Sequence, residues 1–176
     1  MSRTVTCNFI LNGERFSKFT YDGANCTAFS GNGDYRNKAL EGNVPANGPI
    51  PGGRYYIVDR ESGGLMGPIM DWIKDRDIWF ALLRDDGAID DFTFVEGVRR
   101  GEFRLHPKGR LGISLGCITL EYRGEFDAMR AYLLSKPLEY VPLTTTRTYG
   151  TVDVGFYVDT LDERYRPGGT NNMSVV

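Results

Sequence analysis

The sequence predicts a mostly-β domain with one principal helix, and three observations carry that expectation. Glycine is abundant, at 22 residues, and Tyr and Phe contribute ten each; glycine supplies tight turns, and aromatic side chains suit a pleated, half-buried surface. Two turn dipeptides, Asn12-Gly13 and Asp22-Gly23, cut the first thirty residues into strand-length pieces. Apolar residues stand at clear helical spacing at Phe126, Met129, Tyr132 and Leu133, and Pro137 closes that stretch.

The elements follow in order. Residues 1–30 read as an N-terminal β-meander of "TVTCNFIL", "ERFSKFTY" and "NCTAFSG", with Asn12-Gly13 and Asp22-Gly23 as two-residue hairpin turns. "SGNGDYRNKALEGNVPANG" is crowded with turn residues and predicts a surface loop. "GPIPGG" then leads rigidly into a strand from Arg54 to Asp59. Residues 61–77 admit two readings: a helix with Ile69, Met70, Trp72 and Ile73 on one face, or an irregular flap forming a capping insertion. "DIWFALLRDDG" and "GEFRLHP" predict further strands. In "GEFDAMRAYLLSKP" the apolar stripe is core packing, not a cofactor face. "GTVDVGFYVDT" alternates as a strand does, and residues 167–176 predict a loose tail. No repeat or linker divides the chain, so 1–176 is expected to be one domain.

Bulk composition excludes several classes. A net charge of −2 gives no basic footprint for nucleic acid. No apolar run approaches the length of a membrane span. "MSRTVTCNFILNGERF" lacks the apolar stretch and cleavage site of a secretory signal, which predicts a product made in the cytoplasm. Three cysteines and one histidine fit neither a disulfide framework nor a metal site, so no metal is expected. Cys7 and Cys26 are both expected to be free, because the second strand of the meander lies between them.

The chemistry concentrates in "FRLHPKGRLGISLGCITLEY", Phe103 to Tyr122, where the sole histidine precedes Cys117 by eleven residues. A cysteine thiol is mostly protonated at neutral pH, and an adjacent imidazole can take its proton and return it to a leaving group. If "EFRLH" is a strand and "GCITLEY" begins the next element, the loop from Pro107 to Leu115 can bring His106 to Cys117. Gly116 leaves space for a substrate carbonyl to reach backbone N–H groups beside the nucleophile. Ser114 can hydrogen-bond within the loop or to substrate. Arg104 shares a strand face with His106 and either binds a substrate carboxylate or pairs with a neighbouring acid. The partner that orients the imidazole is not identified by the sequence; a backbone carbonyl can serve. Against this stands the plainer reading, a buried thiol and a structural histidine.

"HPKGRLGISLGCI" resembles the active-site signature of the L,D-transpeptidase catalytic domain family, in which a histidine precedes a Ser/Thr-x-Gly-Cys segment. It is most similar to the type VI secretion L,D-transpeptidase effectors, peptidoglycan-targeting antibacterial toxins with a compact His-Pro followed by Ser-x-Gly-Cys. Similarity extends to "AFSGNG" and "NGPIPGGRYYIV", and so over residues 27–154. Leu115 and Thr119 stand where wall-building members carry a histidine and an Arg or Asn. The resemblance implies a β-sandwich with its main helix after the cysteine segment, His106 as base, Cys117 as nucleophile, and Ser114 and Gly116 in the supporting loop. It also implies L,D-carboxypeptidase trimming or D-amino acid exchange on tetrapeptide stems through a thioester, with no cofactor. A secretion apparatus would deliver the protein to the periplasm of a target bacterium, and a cognate immunity protein would protect the producer.

Two rivals remain. A papain-like peptidoglycan amidase would use Cys26 with His106, although "CTAFSG" follows hairpin strands rather than opening a helix. A non-enzymatic β-sandwich would bind glycan or peptide on Tyr55, Tyr56, Trp72 or Trp79, residues that more often serve packing.

Overall fold

The computed structural model describes residues 4–60 and 78–157. The expected capping insertion at 61–77, with Trp72, and the expected tail at 167–176 lie outside them. β1 (Thr6–Leu11), β2 (Ser17–Tyr21) and β3 (Ala24–Phe29) form the predicted meander. Asp22-Gly23 makes the two-residue turn, with φ of 46° and 79° and Tyr21 paired with Ala24. Asn12-Gly13 does not. The connection runs on to Phe16, because the Asn12 side chain bonds the Phe16 carbonyl at 3.0 Å and the Glu14 amide at 3.1 Å. Asn37 then ties this loop down, accepting from Gly13 N–H on its carbonyl and donating to the Glu14 carbonyl, each at 2.8 Å.

β4 (Gly53–Asp59) and β5 (Phe80–Arg84) pair antiparallel. β6 (Phe92–Val95) and β7 (Val98–Gly101) then form a separate two-stranded ribbon. β8 (Arg104–Pro107) and β9 (Ile118–Leu120) are parallel neighbours joined by the loop that carries the predicted chemistry. The helix α1 (Arg123–Leu134) follows, as expected, directly after the cysteine segment. β10 (Glu139–Tyr140) and β11 (Arg147–Phe156) complete the described chain.

The main sheet runs β1-β2-β3-β9-β8-β5-β4-β11-β10. It closes on itself because β11 also pairs parallel with β1, Thr6 opposite Thr151 through Leu11 opposite Phe156. The result is mostly β with one helix. Where a sandwich was expected, the hydrogen bonding describes one closed, barrel-like sheet.

Alternation puts Cys7, Phe9, Phe19, Cys26, Tyr55, Ile57, Leu82, Leu105, Ile118 and Val152 into one apolar core. Phe126, Met129 and Leu133 of α1 join it, so the helical stripe is core as predicted. At about 1.5–3 kcal/mol for each fully buried side chain, these three anchor the helix that follows the site. Cys7 and Cys26 are free thiols in this core. No helix among the described residues is long and apolar enough to cross a membrane.

Candidate active site

The parallel register of β8 and β9 decides which side chains meet. Leu105 lies opposite Ile118, and both enter the core. His106 lies opposite Thr119 on the other face, and Arg104 and Cys117, one residue before the Leu105–Ile118 pair, return to that same face. Three side chains of the predicted chemistry, with Thr119 beside them, therefore share one face of two adjacent strands, opposite the core.

His106 is almost fully buried there, 3% exposed. Its Nδ1 lies 2.8 Å from the Pro107 carbonyl oxygen. A carbonyl only accepts, so Nδ1 carries the proton and Nε2 of the neutral ring keeps its lone pair. That lone pair faces Thr119 Oγ1 at 3.3 Å. Trp79 stacks on the imidazole with ring centroids 4.2 Å apart and planes 18° from parallel. This follows from register: Phe80 of β5 pairs with Leu105, which brings the preceding indole beside His106. Burial pushes the imidazole down to about 4, against the opposing effect of the Pro107 carbonyl. At neutral pH the ring is an uncharged base.

Cys117 is half-buried. Its thiol looks toward the beginning of β8, where the Glu102 carbonyl oxygen is 3.9 Å from Sγ. Glu102 offers that carbonyl from a left-handed backbone, φ 56°, and its own N–H is held by the Asp91 carbonyl at 2.8 Å. Burial raises the thiol to about 11; the Arg104 amide and guanidinium oppose this, while Asp91 and Glu102 reinforce it. Resting Cys117 is thus a protonated thiol on the same face as a neutral imidazole, with Sγ turned to Glu102 and Nε2 turned to Thr119.

The remaining predicted residues support this loop. Ser114 is buried; its hydroxyl donates to the Cys117 carbonyl at 2.7 Å and accepts from the Gly31 N–H at 3.3 Å. Gly116 has φ 98°, and a Cβ there would lie 2.7 Å from Arg100 Nη2. The space a side chain would fill is taken by a guanidinium of the protein itself. Arg100, buried on β7, donates to the carbonyls of Gly42, Gly48 and Pro49. Ser30 Oγ accepts from Ile50 N–H at 2.7 Å. The "AFSGNG" and "NGPIPGG" segments therefore converge on the loop that carries Ser114, Gly116 and Cys117. Arg104 forms a two-pronged pair with Asp91, Nη1–Oδ1 and Nη2–Oδ2 both 2.6 Å.

Sequence reasoning missed Asp91, Arg100 and Glu102, and it weighed Trp79 only as a sugar platform or packing residue. An arginine two residues ahead of "EFRLH" carries no pattern that foretells burial. For Trp79 a signal existed: extending the β5–β8 pairing by one residue sets it against His106. The rival features find less support in the geometry. Cys26 is 4% exposed within the core, and burial raises its thiol to about 11; Tyr55 and Tyr56 are buried and offer no stacking surface. Among the described residues no group of three or more His, Cys, Asp or Glu side chains could hold a metal ion.

Comparison with known proteins returns one family. A family model described as the Tlde1 domain matches residues 24–144, from the first residue of β3 to beyond β10, and so contains every residue of the site above. Comparisons with curated proteins and with solved structures return no match.

Proposed function

Because the chain belongs to the Tlde1 family, the L,D-transpeptidase effector domains of type VI secretion, we propose that Cys117 and His106 form its acyl-transfer dyad on peptidoglycan stem peptides. The observation that carries this reading is the Nδ1–H to Pro107 carbonyl bond. It leaves Nε2 as the proton acceptor on the face that Cys117 shares.

The chemistry requires the thiol to swing about its Cα–Cβ bond from Glu102 toward Nε2, displacing the Thr119 hydroxyl. Nε2 then takes the S–H proton as Sγ attacks the carbonyl at the L-centre of the diamino acid. The tetrahedral intermediate collapses, breaking the C–N bond to the terminal D-alanine. The departing amine receives the proton from Nε2–H, and a thioester remains on Cys117. Water deprotonated by Nε2 gives the trimmed tripeptide. A free D-amino acid gives exchange, and the amine of a second stem gives a cross-link. Backbone N–H groups at Cys117 would receive the developing oxyanion. No step calls for a cofactor.

The family also implies a secreted protein whose substrate is in a target periplasm. An antibacterial role, with an immunity protein covering the Cys117 face in the producer, completes the reading.

Disaccharide tetrapeptide incubated with purified protein, with and without a D-amino acid, tests it by product mass. The expected products are tripeptide and exchanged tetrapeptide. Cys117→Ala should abolish both, and His106→Ala should slow them by about 10²–10⁴-fold. Loss of activity in Cys26→Ala with Cys117→Ala unaffected would transfer the role to the other thiol and establish the amidase reading.

A further inference from the structure

The Arg104–Asp91 pair is placed where a substrate would be recognised. Both guanidinium Nη atoms meet the two carboxylate oxygens at 2.6 Å, the fork-to-fork geometry in which a guanidinium holds a carboxylate by two parallel bonds. Arg104 stands across the β8–β9 register from Cys117, so the cation and the thiol share one face. The acid is the outward member: its side chain is 41% exposed, against 15% for Arg104. Asp91 is tethered through its backbone carbonyl to Glu102 N–H, so its side chain can leave Arg104 without moving the chain.

We propose that Arg104 is a carboxylate subsite beside Cys117 and that Asp91 occupies it in the resting protein, standing in for the carboxylate of the acyl donor. This deepens the assignment of Cys117 as nucleophile and rests on it. The guanidinium stays paired throughout: one carboxylate replaces another on Arg104, and the displaced Asp91 carboxylate, already the more exposed partner, turns to solvent. Neighbouring charges argue for a donor able to displace Asp91 at this position. Arg100 is committed to three backbone carbonyls, so Arg104, whose partner is a half-exposed side chain, is the guanidinium free to exchange it. A donor bearing a carboxylate keeps Arg104 paired when it takes the place of Asp91, whereas a neutral donor doing so would leave the guanidinium without a counter-charge. The terminal D-amino acid of a stem peptide carries such a carboxylate next to the bond to be cut.

Two alkylating reagents of nearly equal size separate the charge effect from general reactivity. Iodoacetate carries a carboxylate and iodoacetamide does not. Labelling at Cys117 is followed by peptide mass in the wild type, Asp91→Asn, Arg104→Gln and the double variant. Asp91→Asn should raise the iodoacetate-to-iodoacetamide rate ratio about tenfold, and adding Arg104→Gln should return it to the wild-type value or below. A ratio within twofold of wild type in folded Asp91→Asn overturns the subsite and leaves the nucleophile standing. Failure of iodoacetamide to label Cys117 in the native wild type overturns both. Asp91→Ser repeats the test with a smaller side chain; loss of the folded near-ultraviolet signature in both Asp91 variants makes the pair structural and also overturns the subsite.

Discussion

The indole of Trp79 lies over the imidazole of His106, ring centroids 4.2 Å apart. One contact thus couples the packing of β5 to the basicity of the chain's only histidine. The stack removes water from the ring, and burial is the main cause of its low affinity for a proton. Trp79→Ala should raise the imidazole from about 4 toward its ordinary value of 6.5. A single histidine gives a single C2–H resonance, so a proton NMR titration reads this directly. With the base protonated at higher pH, the acid limb of activity should move up by about one unit or more, and Trp79→Phe should restore most of the shift.

The same burial makes stability depend on pH. Between about 4 and 6.5 the unfolded chain binds a proton at His106 that the folded protein refuses, so stability falls as pH drops through this window. The loss attributable to His106 should be at most about 3 kcal/mol. Urea midpoints at pH 7, 5.5 and 4.5 should fall more steeply for the wild type than for His106→Gln. Parallel slopes in the two proteins would remove His106 from the account.

Gly116→Ala should destabilise the fold by about 2–4 kcal/mol, combining left-handed backbone strain with overlap. The new Cβ would meet Arg100 Nη2 at 2.7 Å and Phe103 Cε1 at 3.3 Å. A displaced guanidinium would leave the carbonyls of Gly42, Gly48 and Pro49 without their donor. Thermal unfolding of the variant, beside Gly87→Ala where φ is also 98° and a Cβ meets nothing within 4 Å, isolates the overlap from the backbone strain common to both.

Ser114→Ala removes a bridge between the Cys117 carbonyl and the Gly31 amide. Leaving these buried groups unpaired should cost about 1–3 kcal/mol. A loosened nucleophile loop should lower kcat by about tenfold with little change in KM, since the hydroxyl holds the loop and not the substrate. A change confined to KM would place Ser114 in substrate binding instead.

Much of the fold was legible because it is written locally. Strand-length apolar or alternating segments mark β1 to β5, β8 and β11, Asp22-Gly23 marks its turn, and the spacing from Phe126 to Leu133 marks α1. The ribbon of β6 and β7 was missed although Glu96-Gly97 forms its turn, with φ of 49° and 78°; its strands bury little, so the pattern in "FTFVEGVRRG" is faint. The closure of β1 on β11 joins residues nearly a chain length apart, and no local signal encodes that. At the candidate site the residue types at 104, 106, 114, 116 and 117 could be read in advance. Their partners could not: Pro107, Thr119, Trp79, Asp91 and Arg100 meet them through strand register and long-range packing.

The parallel seam between β1 and β11 bears on how such a molecule is born. On the ribosome, the first strand emerges long before its closing partner is synthesised, and contacts between such distant segments form slowly. Until Phe156 has cleared the exit tunnel, the nascent sheet carries two raw edges, each a template for aggregation. A holdase that shields those edges during synthesis would relieve a hazard that the finished ring no longer has.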